Sequence, residues 1–188
     1  MRNIVNFLFE IGILKKIPRS GYQFLGTGGE SVADHSFRVA VIAYVLAKRE
    51  PEADVERAVL MSLFHDFPEA RTGDHNYVNK RYVKVDEDKA ISDLARKIPV
   101  GGEIEALIHE FNVRQSLEAR LVSDADQLDF ILELKRQQDL GNGSAAEWLT
   151  YSVKRLKSDF AKRLADEILK TDSSEWWFTK KEELWVDG

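Results

Sequence analysis

Apolar positions recur at helical spacing along almost the whole chain, and the pattern divides it into a series of helices. Ile4, Phe7, Leu8 and Ile11 share one face of an amphipathic helix over residues 3–14. Phe37, Val41, Tyr44 and Val45 mark a second, from Asp34 to about Glu50, which is apolar nearly all round and therefore central; Pro51 stops it. Asp54 is the expected N-cap of a third helix, in which Val55, Ala58, Val59, Met61, Ser62 and Phe64 lead up to His65. Pro68 lacks a backbone donor, so this helix ends or kinks just past His65 and Asp66, with Pro68 opening a new turn. Asp86 or Asp88 begins a helix carrying Ala90, Ile91, Leu94, Ala95 and Ile98, which Pro99-Val-Gly-Gly breaks. Ile104, Leu107, Ile108 and Phe111 form a short one after it. Ser116 to Leu140 reads as one long helix with Leu117, Leu121, Val122, Ala125, Leu128, Ile131 and Leu132 facing the core, closed by Gly141-Asn-Gly143. Ser144 with Glu147 three residues on is a capping-box signature for a last helix through Trp148, Val153, Leu156, Phe160, Leu164 and Ile168. Strand alternation and internal repeats are absent, so the expected fold is all-α, a single-domain helical bundle.

The interruptions carry as much information as the helices. Lys15 to Val32 holds Pro18, Gly21, Gly26, Gly28 and Gly29, and a loop longer than ~12 residues inside a compact domain is usually functional. Residues 75–85 show no period and read as a mobile loop. Beyond Thr171, Trp176, Trp177, Phe178 and Trp185 make an aromatic tail that is costly to expose, so it is expected to dock on this or a partner subunit. The apolar seam of the last helix is expected to bury against the domain or against a second subunit.

Bulk properties narrow the function classes. With 188 residues the chain suits one domain with a substantial core. The lack of cysteine rules out disulfides and thiolate metal sites. A net charge of −5 with 27 scattered basic residues does not make the basic stripe of a DNA or RNA duplex binder. No apolar run nears the ~20 residues that span a bilayer, and Glu10 interrupts the apolar N-terminus where a signal peptide would be uncharged. The expectation is a cytoplasmic protein, free of membrane.

Chemistry enters with Met61-Ser-Leu-Phe-His65-Asp66-Phe-Pro-Glu69-Ala-Arg-Thr-Gly-Asp74, where an apolar helix delivers an imidazole and a carboxylate together. Adjacent helical residues point about 100° apart, so these two need ligands from other elements to hold a cation. His35 at the start of one helix and Asp126 inside another can supply them. His35, His65, Asp66 and Asp126 would make a mixed nitrogen and oxygen set, suited to Mn, Co, Fe, Ni or Zn better than to Ca or Mg. Asp124 lies on the opposite side of its helix from Asp126 and is the weaker ligand. Glu69, four residues after His65 and three after Asp66, stands near both if helical geometry continues. Thr72-Gly73 makes a turn that presents Asp74. Arg19 can grip a phosphate and Tyr22 can pack on a sugar or base. His75 is expected to be exposed or a minor substrate contact, and His109 to be structural.

His, then His-Asp, then Asp, in this order in a helical chain, resembles the HD-domain metal-dependent phosphohydrolases, and within them the branch that includes the 5'-deoxynucleotidases. The resemblance covers roughly residues 1–170, leaving 171–188 as the aromatic tail. Pro18-Arg19-Ser-Gly-Tyr22, Glu30-Ser-Val-Ala-Asp-His35, His65-Asp66-x-x-Glu69-x-x-Thr72-Gly-Asp74 and Asp124-Ala-Asp126 carry it. It implies one divalent transition-metal ion held by His35, His65, Asp66 and Asp126, and a nucleoside 5'-monophosphate as substrate. Arg19 and an aromatic residue, here Tyr22 where the family commonly has Trp, would contact the nucleotide, and Glu110 matches a position near the pocket. Glu69 would transfer a proton, and Asp74 would hold a sugar hydroxyl or the leaving-group side. A homodimer is implied as well. Two other phosphohydrolase activities, on dNTPs or on cyclic signalling nucleotides, use the same ligands but usually larger chains or extra His ligands. A non-catalytic metal- or nucleotide-binding module has no need of Glu69 and Asp74 beside the ligands.

Overall fold

A computed structural model describes residues 1–178 of the chain. Among them lie ten α-helices and no strand beyond one isolated bridge between Pro18 and Ser31. The helices are α1 (Arg2–Ile11), α2 (Tyr22–Leu25), α3 (Val32–Ala47), α4 (Val55–Phe64), α5 (Glu69–Thr72), α6 (Glu87–Ala95), α7 (Gly101–Val113), α8 (Leu117–Asp139), α9 (Gly143–Ser152) and α10 (Asp159–Lys170). Short side-chain caps set most of the starts. Ser31 and Asp34 form a capping box on α3, and Asp54, Asp86 and Ser116 each accept a backbone N–H at the heads of α4, α6 and α8.

The framework is α3 packed against α4 and α8. Leu46, Met61, Leu107, Leu128, Ile131 and Leu134 are buried in its core. A second cluster, built on Leu14, Val32, Ile91, Leu94, Ile98, Ile104 and Ile108, takes the inner face of α1 through Ile4, Phe7 and Ile11. Gly101 lets α7 start close to α6, because a Cβ there would stand 1.9 Å from the Ala95 carbonyl oxygen. None of the described helices is long and apolar enough to cross a membrane.

Three expectations need correction. The residues that marked α3 as central, Phe37, Val41, Tyr44 and Val45, form its outer face, 69%, 49%, 49% and 44% exposed. The face that packs carries Val39, Ala40, Ala43, Leu46 and Ala47 instead, since small residues allow the neighbouring helices to come close. Leu8 is likewise 61% exposed on the outer side of α1. The final helix is in fact two: Asn142, not Ser144, caps α9, accepting from the Ser144 and Ala145 amides. The chain then breaks at Leu156, and the amides of Lys157 and Ser158 donate to the two oxygens of Asp124 at 2.8 Å each, which fixes the head of α10. Buried Asp124 is thereby a helix-positioning group with both oxygens engaged. Past α10, the Ser173 amide donates to Asp139, while Trp176 stands 85% exposed on this chain. Trp185 lies outside the described residues.

Candidate metal centre

His35, in the first turn of α3, and His65, just past the last turn of α4, bring their rings to 5.5 Å, and Asp126 of α8 faces them. Donor atoms of His35, His65 and Asp126 all lie within 4.8 Å of one another. His35 Nε2 stands 3.2 Å from Asp126 Oδ1 and 3.6 Å from Asp66 Oδ2, and His65 Nε2 stands 3.3 Å from Asp66 Oδ2. Donors bound ~2.1 Å from one ion sit roughly 3–3.5 Å apart, and the His35–Asp126 spacing is of that order; His35, His65 and Asp126 form the close group, while Asp66 stands beside both rings and pairs with Arg19. The Nε2 atoms of both rings are buried and lack a hydrogen-bond partner among the described residues, as does Glu69 Oε2. Buried polar atoms are seldom left unpaired, so the two orphaned imidazole nitrogens that meet there fit a ligand that binds between them.

Each ring is turned toward that point by its other nitrogen. His65 Nδ1 lies 2.7 Å from the Ser62 carbonyl oxygen, which can only accept, so Nδ1 carries the proton and Nε2 offers a lone pair. His35 Nδ1 lies 2.6 Å from Asp129 Oδ2. Burial works against a charge on His35, but the carboxylates of Asp126 and Asp129 outweigh it and push its pKa up, so without a cation the ring attracts a second proton at Nε2, the place that a metal ion would take. Burial would also raise Asp126, yet His35, His65 and Arg19 together hold it well below the usual carboxylate range.

Beside the cluster, Arg19 Nη1 approaches Asp66 Oδ2 at 3.3 Å and Asp74 Oδ1 at 3.6 Å. Gly73 turns the chain there with φ 75° and ψ 162°, a conformation that essentially only glycine adopts, so that Asp74 leaves the end of α5 facing the Arg19 loop. Asp74 Oδ2 accepts from the Ser20 hydroxyl at 2.7 Å and from the Ser20 amide. Glu69, in the first turn of α5, is pushed above the ordinary glutamate range by burial first and then by the neighbouring charges of Asp66 and Asp74.

Thus the chain gathers Arg19, His35, His65, Asp66, Glu69, Asp74 and Asp126 into one region. Two other expected residues have partners of their own. Tyr22 donates its hydroxyl to Glu133 at 3.2 Å. Glu110 pairs with Arg57 and accepts from the Ser116 hydroxyl at 2.6 Å, which keeps it below the ordinary glutamate range, Arg57 being the larger cause. His75 Nε2 contacts the Thr72 carbonyl oxygen at 2.9 Å. Ser20, Arg38, Asp129 and Glu133 escaped notice in the sequence. A signal for two of them existed: Asp126, Asp129 and Glu133 follow at steps of three and four along α8, a row of carboxylates on one helical face. A cavity of about 630 Å³ between Thr27–Gly29 and the end of α8 contains none of the metal-centre residues.

An all-helical bundle whose central helices converge two histidines and an aspartate, with an arginine alongside, defines a protein with a His/Asp cluster able to hold a metal. The chain belongs to the HD domain family, whose model matches residues 11–169. Among curated relatives, 5'-deoxynucleotidase HDDC2 of Bos taurus is 32% identical over 147 residues, 75% of this chain and 71% of the bovine protein. The Homo sapiens protein of that name is 30% identical over 145 residues, 74% of this chain and 70% of its own length. Among solved structures, a conserved hypothetical protein from Pyrococcus furiosus superposes with a TM-score of 0.77 at 31% identity, covering 89% of this chain and 99% of that one.

Proposed function

We propose that this chain is a metal-dependent phosphomonoester hydrolase, a 5'-nucleotidase that converts (deoxy)nucleoside 5'-monophosphates to nucleoside and inorganic phosphate. The observation that carries it is the meeting of the unpartnered His35 and His65 Nε2 atoms with Asp66 and Asp126, beside Arg19 and Glu69. The names of the relatives, 5'-deoxynucleotidases, support the substrate class. His35, His65, Asp66 and Asp126 would hold one divalent ion, Mn, Co, Fe, Ni or Zn, which supplies Lewis acidity and makes water nucleophilic near neutral pH. Arg19 binds the phosphate oxygens, exchanging part of its pairing with Asp66 for them. Water adds to phosphorus, the bond from phosphorus to the 5' oxygen breaks, and Glu69 passes a proton to the leaving oxygen and recovers one from the attacking water, so that nucleoside and inorganic phosphate are the products. Asp74, steadied by Ser20, accepts a sugar hydroxyl. Tyr22, bonded to Glu133, and Glu110, paired with Arg57, complete the proposed substrate-binding set with Arg19 and Asp74.

The unit carrying the activity is residues 1–170, and a nucleotide substrate fits the cytoplasmic location expected from the sequence. A homodimer finds support in the exposed apolar face of α3, Phe37, Val41, Tyr44 and Val45, which a second copy would cover. Light scattering in solution tests it: a strictly monomeric mass removes that contact. For the activity, phosphate release is measured from nucleoside mono-, di- and triphosphates and cyclic dinucleotides with added Mn or Co. Turnover confined to 5'-monophosphates is expected; preference for triphosphates or cyclic substrates overturns the assignment.

A further inference from the structure

Asp129 is fully buried, 0% exposed, and lies outside the set of ligands proposed above. A carboxylate in such a place costs several kcal/mol of desolvation unless it is fully paired, and Asp129 is. Its Oδ2 meets His35 Nδ1 at 2.6 Å, and its Oδ1 accepts from Arg38 Nε. Arg38 in turn donates to Glu133 Oε1 at 2.6 Å and lies 3.8 Å from Glu30 Oε2. Glu133 then accepts from the Tyr22 hydroxyl. Glu30, His35 and Asp129 group closely enough to hold a second metal, but the Arg38 guanidinium already places a permanent cation between these carboxylates.

We infer that Asp129, locked by Arg38, is a positioning residue that fixes His35 with its proton on Nδ1 and so presents the Nε2 lone pair to the ion. This rests on the proposed metal centre. Arginine cannot give up its proton, so one side of Asp129 must always accept from Arg38. The other oxygen is then free to accept from Nδ1–H and nothing else. In Asp129→Asn the amide oxygen must still face Arg38, and the NH2 group faces His35. The imidazole is the partner able to yield: Nδ1 becomes the acceptor and the proton moves to Nε2, into the ion's place.

The test is a calorimetric titration of wild type and Asp129→Asn with Co(II), with the visible Co(II) spectrum as a second readout and thermal unfolding as the control for folding. The expected result is a folded variant with about 10–100-fold weaker affinity and an altered Co(II) spectrum. A folded variant with affinity within about twofold of wild type overturns the role of Asp129 while leaving the metal centre intact, a range set well inside that expected loss. Wild type that fails to bind Co(II), Mn(II) or Zn(II) overturns the metal centre itself. Long-range nitrogen–proton NMR on Zn(II)-loaded wild type decides even where the variant fails to fold. His35 Nδ1 is expected to carry a proton, and an unprotonated Nδ1 overturns the inference.

Discussion

His35 and His65 offer the same atom to the same point, yet the two regions around them achieve it by opposite means. His65 is oriented from within its own turn, by the Ser62 carbonyl three residues back. His35 is oriented across the bundle by Asp129, 94 residues away, and through it by Arg38 and Glu133. A backbone carbonyl is a fixed acceptor that no substitution removes. A carboxylate can be removed or neutralised, so the His35 side carries both the greater vulnerability and the greater scope for tuning.

The severest way to break the comparison is to delete a ligand from either side. His65→Ala and Asp126→Ala are each expected to lose bound metal in elemental analysis and phosphatase activity together, as is treatment of the wild type with a chelator. Full turnover by metal-free Asp126→Ala would falsify the site. Next in size, Glu69→Gln spares both histidine arms and so should keep its metal while kcat falls by roughly 10²–10⁴-fold; loss of the metal as well would make Glu69 part of the ion's support.

Arg19→Ala is expected to raise KM for phosphorylated substrates by roughly 10–100-fold, the worth of a charge-assisted contact, with metal affinity little changed; an unchanged KM removes Arg19 from the pocket. Ser62→Ala sharpens the comparison from the other side. It deletes the hydroxyl that bonds the Ala58 carbonyl at 2.8 Å but leaves the Ser62 carbonyl that orients His65. Metal affinity should therefore stay within about twofold, against the ~10–100-fold expected where a carboxylate does the orienting.

The smallest effect is expected at the head of α3, whose first turn carries His35. Ser31→Ala should cost ~1 kcal/mol of stability as a lost N-cap. The Ser31 amide and hydroxyl hold Asp34 below its ordinary pKa. A depressed carboxylate adds stability that is complete above its unfolded pKa and fades as pH falls through its folded pKa. The gap between wild type and Ser31→Ala in denaturant unfolding should accordingly narrow in acid; a gap constant down to strongly acid pH would mean Asp34 takes no part.

Local chemistry was open to inspection along the chain. Helical spacing, the cap at Asp54, the helix starts near Asp86 and Ser116, the stop at Pro68 and the turn at Gly73 are decided by neighbours a few residues apart, so the residues themselves announce them. Asp126 stood out because a carboxylate beside an apolar stripe calls for a partner. Packing between helices was another matter. Which face of α3 is covered depended on how close α4 and α8 approach it, and small alanines prevailed over the larger Phe37 and Tyr44. The break between α9 and α10 depended on Asp124 reaching the Lys157 and Ser158 amides from a distant helix. The buried pair of Arg38 and Asp129 behind His35 likewise exists only once α3 lies on α8, because the partners of a buried charge are chosen by space and not by order along the chain.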